Sequence, residues 1–147
     1  MKDKILIFIY SKKEDKFLLL SLAKHLGHVS QRVWFTLTKE IKDIKHTKEI
    51  IRKEIKNKTG LIVEDIFPLN WGSTYKWKNE EFKEMNFIAF VDSKDLILNK
   101  KYSKYKWLSI DRFIKEIRWE EDIILLKKVL EKGINKELYF DKKERGQ

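Results

Sequence analysis

Apolar and polar positions along the chain alternate with two different periods, and the change of period marks its elements. Two β-rich runs, KILIFIY and KFLLLSLAK, flank the polar SKKED and predict a hairpin with both strands well buried. HLGHVSQR reads as a loop and VWFTLTK as a short third strand. From Thr47 the spacing turns helical, with Ile50, Ile51 and Ile55 on one face. His46 or Thr47 opens this helix, and Gly60 closes it where a C-terminal glycine is favoured. LIVEDIFPLNW resumes as a strand, with the only proline, Pro68, at an edge or bulge. STYKWK predicts a further strand, KNEEFKE a polar turn, MNFIAFVD a buried strand and KYKWLSI a last short one. Ser109 offers an N-cap for IDRFIKEI, and EEDIILLKKVLEK predicts an amphipathic helix ending at Gly133. Acids at its start and lysines at its end suit the helix dipole.

The order β-β-β-α-β-β-β-β-α-α predicts an α+β fold, a mixed sheet between helices. One domain over residues 1–133, followed by a basic tail over 134–147, fits a length of 147 residues. The apolar stretch Ile5 to Tyr10 is only six residues long and has no small-residue cleavage site, so it reads as a strand and not a leader. No run approaches the roughly 20 apolar residues that span a bilayer, so no membrane partner is expected.

Composition then narrows the chemistry. The absence of cysteine excludes disulfides, thiolate nucleophiles and cysteine-held zinc, and suits a cytoplasmic location. Lys and Arg number 33 against 23 Asp and Glu, a formal charge of +10. Such a surface favours polyanions, although lysine-rich composition alone gives the same count. WGSTYKWK (Trp71, Tyr75 and Trp77 with Lys76 and Lys78) alternates aromatic faces with cations. KKYSKYKW does the same with Tyr102, Tyr105 and Trp107 among Lys100, Lys101, Lys104 and Lys106. Stacking combined with phosphate pairing is how single strands are gripped. The plainer expectation is that Trp77 and Trp107 pack in the core. His25, His28 and His46 lack metal-ligand spacing and read as surface residues. There is no glycine-rich phosphate loop, Ser-His-Asp candidate or deaminase-type cluster.

The element order and the stretch from Val33 to Leu61 resemble the Nudix hydrolase family. VWFTLTK and KYSKYKWLSIDRFIKEIRW are similar to its dATP pyrophosphohydrolase branch. The family box runs Gly, five residues, Glu, seven residues, then Arg-Glu-apolar-x-Glu-Glu-x-Gly-apolar. Laid on this chain, Lys39 falls on the first Gly, Lys45 on the first Glu and Lys53 on the Arg. Glu54 matches the next Glu, Asn57 and Lys58 replace the paired acids, and Gly60 and Leu61 close the box. The resemblance implies a helix face of carboxylates holding Mg²⁺ against a pyrophosphate. Positions 54, 57 and 58 do share one face at about 100° per residue, but only Glu54 there is acidic. Glu49 lies about 140° away around the helix.

A degenerate box with no resident metal or other cofactor is therefore the expectation. Glu54 and Lys58 are in the favourable order for an i,i+4 ion pair. Alternatively, Lys45, Lys53 and Lys58 supply the charge of the lost metal and hold a phosphate without cleaving it. The expected function is non-hydrolytic binding of RNA or a ribonucleoprotein such as a ribosome, with nucleotide as a further possible ligand. Lys45, Lys58, Lys76, Lys78, Lys100, Lys101 and Lys104 are the candidate contacts. The alternative is an active Mg²⁺-dependent hydrolase of a nucleoside triphosphate or diphosphate derivative. It would use the remnant Glu54 together with Glu84, which stands where some family members place a glutamate outside the box. A module that binds only protein is a third reading.

Overall fold

The structure is a computed structural model that describes residues 2–22, 33–92, 95–119 and 121–140. The predicted loop HLGHVSQR, with His25 and His28, lies outside the described residues, as does the end of the tail from residue 141.

Six strands form one mixed sheet among the described residues: β1 (Lys2–Ser11), β2 (Lys16–Leu22), β3 (Leu37–Ile41), β4 (Val63–Trp77), β5 (Glu80–Val91) and β6 (Tyr102–Leu108). They run in the order β4-β5-β1-β2-β6, with β3 also pairing β1. The predicted hairpin forms at Tyr10↔Phe17 and Ser11↔Lys16. Beyond it β1 runs parallel to β5 along its whole length. LIVEDIFPLNW and STYKWK are one strand and not two: β4 continues through register shifts near Val63 and between Pro68 and Gly72. The bulge absorbs what reads in sequence as a break. Pro68 sits on the sheet's edge strand, where a missing N–H costs no internal ladder bond. The predicted polar turn shrinks to Lys78 and Asn79, both at positive φ, and Glu80 to Glu84 join β5.

Strand alternation sorts the core into two layers. Ile5, Ile7, Ile9, Leu18, Phe87 and Ala89 face α1 (Thr47–Thr59), meeting Ile51 and Ile55. Leu6, Phe8, Phe17, Ile88 and Phe90 face the opposite way, toward α2 (Ile110–Glu116) and α3 (Ile123–Ile134). Gly60, at φ 74°, caps α1 by donating its N–H to the Lys56 carbonyl, as its position predicts. Asp122 caps α3 at the Ile124 and Leu125 amides. Gly133 does not end that helix. It is buried within α3, where an added Cβ would stand 2.5 Å from Ile88 Cδ1.

Candidate ligand sites on the two faces of the sheet

In the box helix α1, Ile51 and Ile55 are buried, while Lys48, Arg52, Lys53, Lys56 and Asn57 are exposed. Glu54 falls on the inner side and is only 8% exposed. Its partner is not Lys58, as the i,i+4 spacing suggests, but Lys39: Nζ stands 3.6 Å from Glu54 Oε1. The register explains this. Leu37 and Ile41 of β3 are buried in the layer that faces α1, and Lys39, between them in the same phase, points to the same side. Tyr102 of β6 is buried nearby. Burial and the Glu54 charge push its phenol up to about 12.

The other box positions disperse. Lys45 lies in a single 3-10 turn (Ile44–His46) before α1, its N–H donating to Asp43 Oδ1. Lys53 and Asn57 are exposed, and Lys58 is half-buried. His46 ion-pairs with Asp43 at 2.6 Å, each raising or lowering the other's pKa toward the charged form. No group of three or more His, Asp or Glu side chains converges on one point among the described residues. A lone carboxylate already neutralised by an ammonium does not fit Mg²⁺, which needs several oxygen donors free of competing cations. Step-by-step hydrolysis through such an ion therefore finds no donor set here.

Glu84 sits on β5 beside Lys4, in phase with Asn86, Ile88 and Phe90, so it projects on the α2–α3 side. Glu54 belongs to the α1 side. The sheet thus separates the two carboxylates proposed for a hydrolase, and they cannot share an ion. Glu84 instead lines a cavity of about 130 Å³ with Trp71, Asn86, Arg118, Trp119 and Glu121. An adjoining hollow of about 340 Å³ shares Trp71, Gly72, Ser73 and Glu84. Gly72 is required there, because a Cβ would meet the Glu84 carbonyl oxygen at 2.2 Å. Trp71 and Trp119 form a tilted pair at 5.5 Å. Burial raises the Glu84 pKa, Lys4 opposes the rise and Glu121 adds to it. Asn86 Oδ1 and Trp119 Nε1 are buried with no hydrogen-bond partner among the described residues. Sequence reading missed this cavity, although its signal was present: Asn86 is the polar residue in the apolar phase of β5.

The two aromatic-basic stretches do not meet. WGSTYKWK belongs to β4 and KKYSKYKW to β6, at opposite ends of the strand order. Four inter-strand spacings make about 19 Å. Trp77 is 59% exposed with Lys78 Nζ 4.4 Å from its ring centroid, so it does not pack in the core. Lys76 faces Glu81 across the ladder. Trp107 is half-buried against the α1-side core, as expected. Lys106 is ion-paired with Glu116 and lies over Trp34, while Lys100, Lys101 and Lys104 are exposed.

A mixed sheet between a box helix and a C-terminal helix pair is the architecture of the Nudix hydrolases, and solved structures agree. A Caenorhabditis elegans Ap4A hydrolase has a TM-score of 0.63 at 18% identity, over 87% of this chain and 94% of that one. A Nudix hydrolase from Nitrosomonas europaea gives 0.62 at 12%, over 96% and 98%. The Nudix domain of Shewanella oneidensis NrtR, complexed with ADP ribose, gives 0.63 at 13%, over 90% and 87%. At such identities the likeness establishes the fold: this chain has the Nudix fold. No protein-family model matches the sequence, and no curated protein matches it. No helix among the described residues is long and apolar enough to cross a membrane.

Proposed function

We propose that this Nudix-fold protein binds without hydrolysing, and that its partner is RNA or a ribonucleoprotein. The observation that carries the first half is the Lys39–Glu54 ion pair. The surviving box carboxylate is buried against an ammonium from the strand that faces it, and Asn57 and Lys58 add no negative charge. A divalent cation entering there would have to displace Lys39 and sit beside Lys58, at a cost of several kcal/mol, on the order of unit charges a few ångströms apart in a partly shielded site. The formal charge of +10 supports the second half. The test is a screen of nucleoside triphosphates and diphosphate derivatives with millimolar Mg²⁺ or Mn²⁺, run beside RNA-binding titrations at several salt concentrations. Phosphate release at background together with salt-sensitive RNA binding is expected. Metal-dependent turnover abolished by Glu54→Gln would overturn the proposal in favour of a hydrolase.

The cavity on the opposite face favours a second reading, retention of a nucleotide or related small molecule. The unpaired Asn86 oxygen and Trp119 N–H offer an acceptor and a donor beside the indole of Trp71. The NrtR Nudix domain complexed with ADP ribose is a fold relative with such a ligand. Ligand-induced shifts of the Trp119 indole N–H resonance, lost in Asn86→Leu, would support this reading.

A further inference from the structure

A further positive surface among the described residues lies away from the two sheet edges rich in aromatics and lysine. That surface is the outer side of α1. Lys48, Arg52, Lys53 and Lys56 are all exposed there, against Glu49 as the one exposed acid of the helix. They span an arc of roughly 140°. Exposed Lys42 and Lys45 extend the surface beyond the helix start.

What separates this surface from the sheet edges is concentration: its four cations stand on one 13-residue helix, whereas the edge lysines are divided between strands about 19 Å apart. Lys2 lies between Glu40 and Glu80, Lys127 pairs with Asp111, Lys132 with Glu137 and Lys136 with Asp65. None of the four α1 cations is in an ion pair within 4 Å among the described residues, although Glu49 lies within their arc and Lys48 acts at longer range on Asp65. Arg52 alone is tethered, donating to the Val63 carbonyl. Lys48, Arg52 and Lys56 follow at i, i+4 and i+8, a spacing at which like charges repel and weaken a helix. The helix carries that repulsion while its only inward carboxylate is neutralised separately by Lys39.

Successive cations of this stripe rise by about 6 Å. Two steps along one strand cover about 6.8 Å in B-form DNA and somewhat less in A-form RNA, so alternate phosphates fall within reach of this rise. No aromatic side chain stands among the exposed residues of α1, so the stripe has nothing on which a base could stack. We infer that the outer face of α1 binds the phosphodiester backbone of double-stranded RNA, by phosphate contacts and without base readout. This rests on the RNA-binding reading above and gives it a surface other than the sheet edges.

The experiment compares three proteins binding a labelled RNA duplex of roughly 16 base pairs, the length a small double-strand-binding domain spans. They are the wild type, Lys48→Glu/Lys53→Glu/Lys56→Glu, and Lys76→Glu/Lys78→Glu/Lys104→Glu. A Lys48→Gln/Lys53→Gln/Lys56→Gln variant guards against misfolding from charge reversal, with circular dichroism reporting helix content. The α1 variants should lose about tenfold or more in affinity, and their slope of log K against log salt should flatten by about 2–3, from three contacts at about 0.9 each. The sheet-edge variant should keep most of its affinity. If the edge variant loses binding while the α1 variants retain it, or all fall equally, the assignment to α1 is wrong although RNA binding stands. Polyglutamate competing as well as the duplex would overturn phosphate recognition. A wild type that binds no duplex at low salt would instead defeat the RNA reading itself.

Discussion

Lys39 and Glu54 show how a single residue in the wrong phase redirects a site. Lys39 occupies an apolar phase of β3, and its ammonium ends 3.6 Å from a carboxylate that is 8% exposed. Removing the cation leaves a poorly hydrated charge, so Lys39→Met should cost about 1–3 kcal/mol in urea denaturation. Glu54→Gln, which removes the charge that needs a partner, should cost less. The double variant should be more stable than the sum of the two predicts, a positive coupling that independent residues would not give. Tyr102 reports on the same pair. Its phenol is raised from 10.0 to about 12, chiefly by burial and then by Glu54. An acid whose folded pKa is raised contributes stability that is present below its unfolded value and lost as pH climbs through the folded one. Between pH 10 and 12 the wild type should therefore lose about 2–3 kcal/mol more than Tyr102→Phe. Equal losses in the two proteins would refute the burial of this hydroxyl.

At the scale of elements, two glycines set how closely the layers approach. Gly133 lets α3 lie against Ile88 and Leu69, whose side-chain ends would stand 2.5 and 2.8 Å from an added Cβ. Gly72 lets the β4 bulge pass the Glu84 carbonyl of β5, a backbone atom that cannot rotate away. Gly133→Ala should thus cost about 1–3 kcal/mol, and Gly72→Ala more, since overpacking against side chains relaxes more easily. Thermal melts of the two variants check the order. Gly72→Ala should also perturb the indole signal of Trp71, which lines the same cavity. The β4–β5 pair is where sequence reading divided the chain wrongly. A bulge and a polar strand end look like loop signals because both interrupt alternation, yet ladder pairing continues to Trp77↔Glu80.

At the scale of the molecule, the sheet is a partition. One face carries the box helix with its neutralised carboxylate, and the other carries the cavity around Asn86 and Trp119. Building a metal site should therefore require changes on the α1 face alone. Lys58→Glu by itself should give no divalent-cation binding. Lys39→Gly/Lys45→Glu/Asn57→Glu/Lys58→Glu, which clears the ammonium and adds carboxylates on and before α1, should bind Mn²⁺ measurably by water-proton relaxation. No binding by that variant would mean that the backbone around α1, and not only its side chains, has departed from a metal-holding geometry.

The hairpin, the span and C-cap of α1, the two C-terminal helices and the α+β class were all legible in the chain, because each follows from local periodicity or a capping residue. That Asn57 and Lys58 stand on the same side of the helix as Glu54 was legible as well, since helix spacing fixes which residues share a face. Which residues meet across elements was not. Lys39 reaches Glu54 through β3 register, Glu84 is cut off from Glu54 by the phase of β5, and the two aromatic-basic stretches part to opposite sheet edges. Each outcome depends on which strands become neighbours. Pairings between distant segments decide that, and they leave no mark in the periodicity of either segment alone.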